Sequence, residues 1–159
     1  MDKDFTVYVL VRNDLPSLNP GKMAAQVHHA GVQMMAKHSN HPLVKSYIKQ
    51  GKLGGAEQFN TTLVLAAGLQ SIITAHSTLT KPKNWISWIV VDPTYPFFVD
   101  NIEIADLIMC SDVIKPKIVK TLGDGRVLMT REEITCGWFL GDRNDENFKS
   151  LFKDFSLYP

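Results

Sequence analysis

Cysteine is scarce and long apolar runs are absent in this sequence of 159 residues. The two cysteines, Cys110 and Cys136, are too few for a disulfide framework, and their spacing matches no common metal-binding motif. No apolar run approaches the roughly 18 residues that a membrane-spanning helix needs. The first residues, Met-Asp-Lys-Asp, also lack the basic and apolar regions of a secretory signal peptide. These absences lead us to expect a cytoplasmic protein without a membrane segment.

Neither sign of charge dominates, because the sequence has 17 Lys and Arg residues and 16 Asp and Glu residues, and its formal net charge is +1. This balance excludes a protein that binds nucleic acid through its overall positive charge. Any RNA contact must therefore depend on a local patch. Runs of lysines are more often solvated faces than binding sites, but three groups are candidates: Lys22 with Lys45, Lys49 and Lys52; Lys81 with Lys83; and Lys115 with Lys117 and Lys120.

Apolar patterns predict that strands and helices alternate along the chain. Residues 5–11 are almost continuously apolar and rich in β-branched and aromatic side chains, which is typical of a central strand covered on both faces. Further strands are predicted at 61–67, 85–91 and 134–140, and helices at 20–37, 42–50, 68–80 and 144–155. We expect the strand at 85–91 to end at Asp92 and Pro93.

The segment 96–131 is harder to interpret. Residues 102–110 fit either a short helix or a strand, and Gly123-Asp124-Gly125 predicts the turn of a β-hairpin. The length, the hydrophobic share of 45% and the charged share of 21% indicate one domain with a sizeable core. The whole pattern predicts an α/β fold, a single-domain layered sandwich with a mixed sheet of four to six strands flanked by helices.

The start of the helix at 20–37 is unusually well marked. Asn19 is a good N-cap, and Pro20 suits the first helical position because its missing N–H costs nothing there. The amides of residues 21–23 would then point out of the helix, a geometry that attracts an anion or a developing oxyanion. On the helical period, one polar face contains Lys22, Gln26, His29 and Gln33, and a second face, suited to a core, contains Met23, Val27, Ala30 and Met34.

Two motifs in this region resemble a known family. Residues 11–15, Val-Arg-Asn-Asp-Leu, and 21–30, Gly-Lys-Met-Ala-Ala-Gln-Val-His-His-Ala, are similar to the VRxDL and GKxAAQxxHA motifs of the archaeal/eukaryotic-type peptidyl-tRNA hydrolases. Asp92 stands where that family has a strand-end aspartate, but the following Pro-Thr-Tyr-Pro-Phe departs from the family's AGRTQ turn. The last strand resembles the family's TVLAIGP, and 96–131 is then a family-atypical insertion.

The resemblance implies hydrolysis of the ester that joins a peptide to tRNA. It implicates a lysine, an aspartate and a threonine, which by position are Lys22, Asp92 and, as the nearest candidate, Thr135. It also implies a homodimer. No cofactor is implied, and we expect no metal site, because the His-rich stretch at 28–41 offers no closed ligand set with a carboxylate. The residues we expect to bind substrate are Arg12, Asp14, Gln26 and His29.

The residues themselves are compatible with ester hydrolysis and with other roles. Asp92 is suited to orient a water molecule, and Lys22 to stabilise an oxyanion, if both reach one cleft. The two residues alternatively form a structural ion pair, and Arg12 either contacts a phosphate or pairs with Asp14. The altered turn after Asp92 leaves two rival functions: a non-catalytic member that binds RNA, nucleotide or protein, and an enzyme for another ester or amide.

Overall fold

The computed structural model describes residues 3–16, 18–52, 60–79, 84–112 and 115–158. Its elements, in chain order, are β1 (Phe5–Arg12), α1 (Pro20–His38), α2 (Pro42–Lys52), β2 (Thr62–Ala67), α3 (Leu69–Leu79), β3 (Trp85–Val99), α4 (Ile102–Met109), β4 (Lys117–Thr121), β5 (Val127–Asp142) and α5 (Glu146–Ser150). The chain divides into two compact units. The first unit contains Met1–Val90 and Cys136–Pro159, and the second contains Val91–Thr135.

Strand β1 is the central strand of the first unit. The sheet order is β2-β1-β5-β3, with β4 paired to β5. Strand β1 runs parallel to β2, with Val9 opposite Val64, and antiparallel to β5, with Val9 opposite Trp138. All eight residues of β1 are buried, so the prediction of a central strand covered on both faces is confirmed.

Helices and aromatic side chains cover the two faces of β1. The core on one face joins β1 to α1 and α2 through Val7, Val9, Val11, Ala30, Met34 and Val44. Tyr8, which alternates with these valines and so faces the other way, stacks on Phe152 with 4.2 Å between ring centroids. The predicted α/β class, with a mixed sheet of four to six strands flanked by helices, is confirmed by this five-stranded sheet.

Strand β3 does not end at Asp92 and Pro93, so that boundary was wrong. It continues through both Pro93 and Pro96 to Val99. A proline has no N–H to donate to a strand ladder, and it is therefore found on edge strands. Because β3 is the last strand in the sheet order, its prolines leave the ladder intact. Asp92 consequently lies inside a strand rather than at its end.

The last two predicted elements also have different bounds. The strand predicted at 134–140 is the second part of β5, a single strand of 16 residues that begins at Val127. The helix predicted at 144–155 is α-helical only over Glu146–Ser150. After Ser150 the backbone changes to i to i+3 hydrogen bonds, such as Phe152 N to Lys149 O at 3.1 Å, which tighten the last turns.

The second unit contains α4, β4 and parts of β3 and β5. Residues 102–110, which fitted either a helix or a strand, form helix α4 over Ile102–Met109, with Asn101 as its N-cap. The predicted hairpin is confirmed, because β4 pairs antiparallel with β5 and Ile118 lies opposite Met129. Its turn contains Gly125, whose φ of +87° lies in the left-handed region that glycine adopts without strain.

Gly141 tests how tightly the first unit is packed. A Cβ added there would lie 2.8 Å from the fully buried ring of Phe148. We expect Gly141→Ala to lower the free energy of unfolding by about 1–3 kcal/mol, the usual cost of overpacking a core. Urea denaturation measures the change. Gly31→Ala is the matched control, because nothing lies within 4 Å of the added Cβ and alanine favours the helix.

Candidate active site

Helix α1 begins as predicted, but two of its first amides donate hydrogen bonds to Asn19. Asn19 is the N-cap, and its Oδ1 accepts a hydrogen bond from the Lys22 amide at 2.9 Å. The Met23 amide donates to the Asn19 carbonyl at 2.8 Å. Both amides are therefore engaged within the helix start, so the expectation that the amides of residues 21–23 take up an oxyanion is wrong for Lys22 and Met23.

The polar face of α1 does not lie wholly in solvent. Lys22 is half-buried and His29 is exposed, but Gln26 between them is buried. One helical heptad further on, Gln33 Oε1 accepts a hydrogen bond of 3.1 Å from Trp138 Nε1, which joins α1 to β5. The other face is as predicted, with Ala30 and Met34 in the core and Met23 and Val27 packed against it.

Arg12 pairs with Asp14, which decides between the two roles left open for it. Arg12 Nε and Nη2 donate to the two carboxylate oxygens of Asp14, the second at 3.1 Å, and Arg12 is only 6% exposed. Burial alone would raise the pKa of Asp14, but hydrogen bonds from Arg12 and the backbone, including Leu69 at the start of α3, lower it. The pair therefore ties the end of β1 to α3.

Asp92 and Thr135 belong to the second unit, whereas Lys22 belongs to the first. Asp92 is half-buried, and its Oδ1 accepts hydrogen bonds from the amide of Thr94 at 2.9 Å and from its hydroxyl at 3.3 Å. Thr135 is fully buried in β5. The convergence of Lys22 and Asp92 on one cleft stays a prediction.

A contact between a buried serine and a half-buried histidine escaped the sequence analysis. His76 Nδ1 lies 2.9 Å from the Ser87 hydroxyl, and Ser87 is buried. Burial lowers the pKa of His76, which favours the neutral imidazole. On the helical period, His76 shares a face with Ile72 and Leu79 of α3. The helical period was the only sequence signal, and it gives no hint of a serine from another strand.

A concavity of about 840 Å³ lies in the first unit and contains none of the site residues chosen from the sequence. Apolar side chains from α1 and α2, such as Val27, Met35 and Ile48, form much of its lining. Within the described ranges, no three His, Cys, Asp or Glu side chains are grouped so as to hold a metal ion. In the same ranges, no helix is long and apolar enough to span a membrane.

The first unit thus has an α/β fold in which a lysine at the start of α1 follows a buried strand and its arginine–aspartate pair. The family model described as peptidyl-tRNA hydrolase PTH2 matches residues 5–81, slightly less than half of the chain, and over this segment the chain is similar to that family. The match includes Arg12, Asp14, Lys22, Gln26 and His29, and it ends before Asp92 and Thr135. No curated protein matches the sequence significantly.

Asp14→Asn tests the ion pair at the end of β1. Because Arg12 is buried, we expect a loss of about 1–3 kcal/mol in unfolding free energy at pH 7, as for other buried groups that lose a hydrogen-bond partner. The lowered pKa of Asp14 means that this contribution is present above the ordinary value of 3.8 and is lost as the pH falls through the folded-state pKa.

Urea denaturation at a series of pH values would check both parts of this expectation. The stability difference between the two proteins should be constant at neutral pH and should shrink under acid conditions. Asp124→Asn is the control, because its pair with Arg126 is solvent-exposed and should contribute almost nothing. A difference that does not change with pH would contradict the assignment to the Asp14 carboxylate.

Proposed function

We propose that this protein hydrolyses the ester bond between peptide and tRNA, which releases the peptide and a free tRNA. The family match over residues 5–81 supports this most strongly, since it contains the lysine at the start of α1. In the reaction, water adds to the ester carbonyl carbon and the bond from that carbon to the ribose oxygen breaks. The departing ribose oxygen takes up a proton, so the products are a carboxylate or carboxylic acid and a ribose hydroxyl.

Lys22 and Asp92 carry the chemistry in this proposal. The Lys22 ammonium stabilises the oxyanion that forms when water attacks, a type of electrostatic contribution that is usually large. The carboxylate of Asp92 orients the water and accepts its proton. Thr135 is fully buried, so we assign it a positioning role rather than contact with the ester.

The remaining site residues divide between substrate contact and support. His29 is exposed two turns along α1 from Lys22, and we assign it contact with the tRNA. Gln26 is buried beside β5, where the Cys136 thiol approaches its carbonyl oxygen at 3.5 Å, and it holds α1 against the sheet. Arg12 and Asp14, being paired with each other, position the end of β1 rather than bind a phosphate.

The cellular setting and assembly are part of the same proposal. We infer from the family resemblance that the protein acts in the cytoplasm and as a homodimer. Sedimentation analysis of the purified protein at several concentrations tests the dimer. A monomer at every concentration would contradict it without affecting the proposed reaction.

A member of the family with another activity is the second candidate. The family match ends at residue 81, and β3 passes through Asp92 as an extended strand where the family pattern has a turn. These observations favour either RNA binding without hydrolysis or an enzyme that acts on a different ester or amide. Binding of tRNA by the folded protein, without release of peptide from any peptidyl-tRNA tried, would support the former.

The catalytic pair is tested by single substitutions. We expect Lys22→Ala and Asp92→Asn each to lower kcat/KM for peptide release from peptidyl-tRNA by on the order of a hundredfold or more, as loss of an electrostatic or acid–base group does. Lys37→Ala, at the opposite end of α1, is the control and should keep full activity. Thermal denaturation verifies that the variants are folded. Full activity in both Lys22→Ala and Asp92→Asn would exclude this pair.

A further inference from the structure

The sheet of the second unit has two very different faces. One face packs against α4, because Phe97, Val99, Val127 and Met129 form a core with Ala105 and Ile108 of that helix. Neighbouring residues in a strand point to opposite faces. The residues between these core positions therefore lie on the other face of the same sheet.

The register between β4 and β5 identifies the residues on this second face. In β5, Leu128 and Thr130 alternate with the core residues. Lys117 lies opposite Thr130 and Lys120 lies opposite Leu128. Strand β3 contributes Phe98 to the same face, since Phe98 lies between the core residues Phe97 and Val99. We call this surface the open face, and its residues are Phe98, Lys117, Lys120, Arg126, Leu128 and Thr130.

Phe98 makes the open face unusual for a sheet surface. It is 54% exposed, although a large aromatic side chain normally seeks burial. The Arg126 guanidinium lies over its ring, 5.4 Å from the centroid, in a cation–π contact. Arg126 Nε also donates to Asp124 Oδ2 at 2.8 Å. One side of the exposed aromatic ring is thus covered by a cation.

Positive charge lies on the same face. Lys117 and Lys120 are both exposed on β4. Strands β3 and β4 both pair with β5, and at the usual spacing between strands they stand about 10 Å apart. Two nearby carboxylates are already engaged, because Asp124 pairs with Arg126 and Glu132 accepts from Lys115 at 3.1 Å. Asp100 is also exposed, and its negative charge contributes to raising the pKa of Arg126.

We propose that the open face binds unpaired RNA nucleotides, with a base stacked on Phe98 and the adjacent phosphates bound by Lys117 and Lys120. Exposed aromatic side chains on a sheet face stack unpaired bases, and neighbouring cations bind the backbone that connects them. This inference rests on the proposed function in one respect, because an enzyme for peptidyl-tRNA must recognise RNA. It assigns to the second unit a partner surface separate from the residues that carry the chemistry.

Fluorescence anisotropy with a labelled, unstructured RNA oligonucleotide of about twelve nucleotides tests the proposal on the full-length protein. We expect Phe98→Ala to raise Kd by roughly five- to 150-fold, which corresponds to about 1–3 kcal/mol for one stacked base. Replacing both Lys117 and Lys120 by Gln should make the negative slope of log K against log salt concentration shallower by about 1.4, since each phosphate contact with a single strand contributes about −0.7.

Matched controls separate the open face from general charge and folding effects. Lys149→Gln with Lys153→Gln removes the same charge from the first unit and should leave the affinity and the salt slope almost unchanged. Leu107→Ala removes a side chain that is 75% exposed on α4, away from the open face, and should bind as the wild type does. A fully base-paired duplex of the same sequence should bind more weakly, because its bases cannot stack on Phe98.

The proposal is overturned if Phe98→Ala binds the single strand as tightly as the wild type while remaining folded by circular dichroism. It is also overturned if the lysine pair on β4 matters no more than the control pair. The RNA contains no ester, so this measurement is independent of hydrolysis. If the wild-type protein releases peptide but does not bind the RNA, only this inference is refuted. If it binds the RNA but does not release peptide, only the proposed reaction is refuted.

Discussion

Burial of β1 is the constraint on which the first unit depends. Its eight residues are buried, β2 and β5 pair with its two edges, and cores lie on both of its faces. The charged residue at its end is paired, because Arg12 donates hydrogen bonds to Asp14, and an unpaired buried charge would be costly. The end of β1 is thereby held in a defined place, and the loop that leads to the Asn19 cap begins from it.

The proposed chemistry uses residues of both units, Lys22 and Asp92, whereas the proposed RNA contact uses residues of the second unit alone. Lys22 lies within the family-matched segment, on a helix that the first core holds against β1 and β5. Phe98 and the β4 lysines belong to the segment that the family resemblance identifies as an insertion. Strands β3 and β5 each run from one unit into the other without interruption. The second unit contains α4 and β4 together with parts of β3 and β5.

Capping and turn residues predicted those elements whose boundaries depend on residues close to them in the sequence. Asn19 and Pro20 specified the start of α1, because capping depends only on neighbouring backbone groups. The turn at Gly125 predicted the hairpin for the same reason. The end of β3 was misjudged, because a proline interrupts a central strand but not an edge strand, and the sheet order is not written in the sequence around Pro93.

The sequence by itself determined the α/β class, the central position of β1, and the motifs by which residues 5–81 are similar to the PTH2 family. These depend on side-chain periodicity and on local motifs, which any reader of the sequence can recognise. Only the tertiary structure decided that Arg12 pairs with Asp14, that His76 meets Ser87, and that Phe98 remains exposed while Tyr95, three residues earlier, is buried. Such contacts depend on which strands and helices become neighbours, and long-range packing rather than local chemistry determines that.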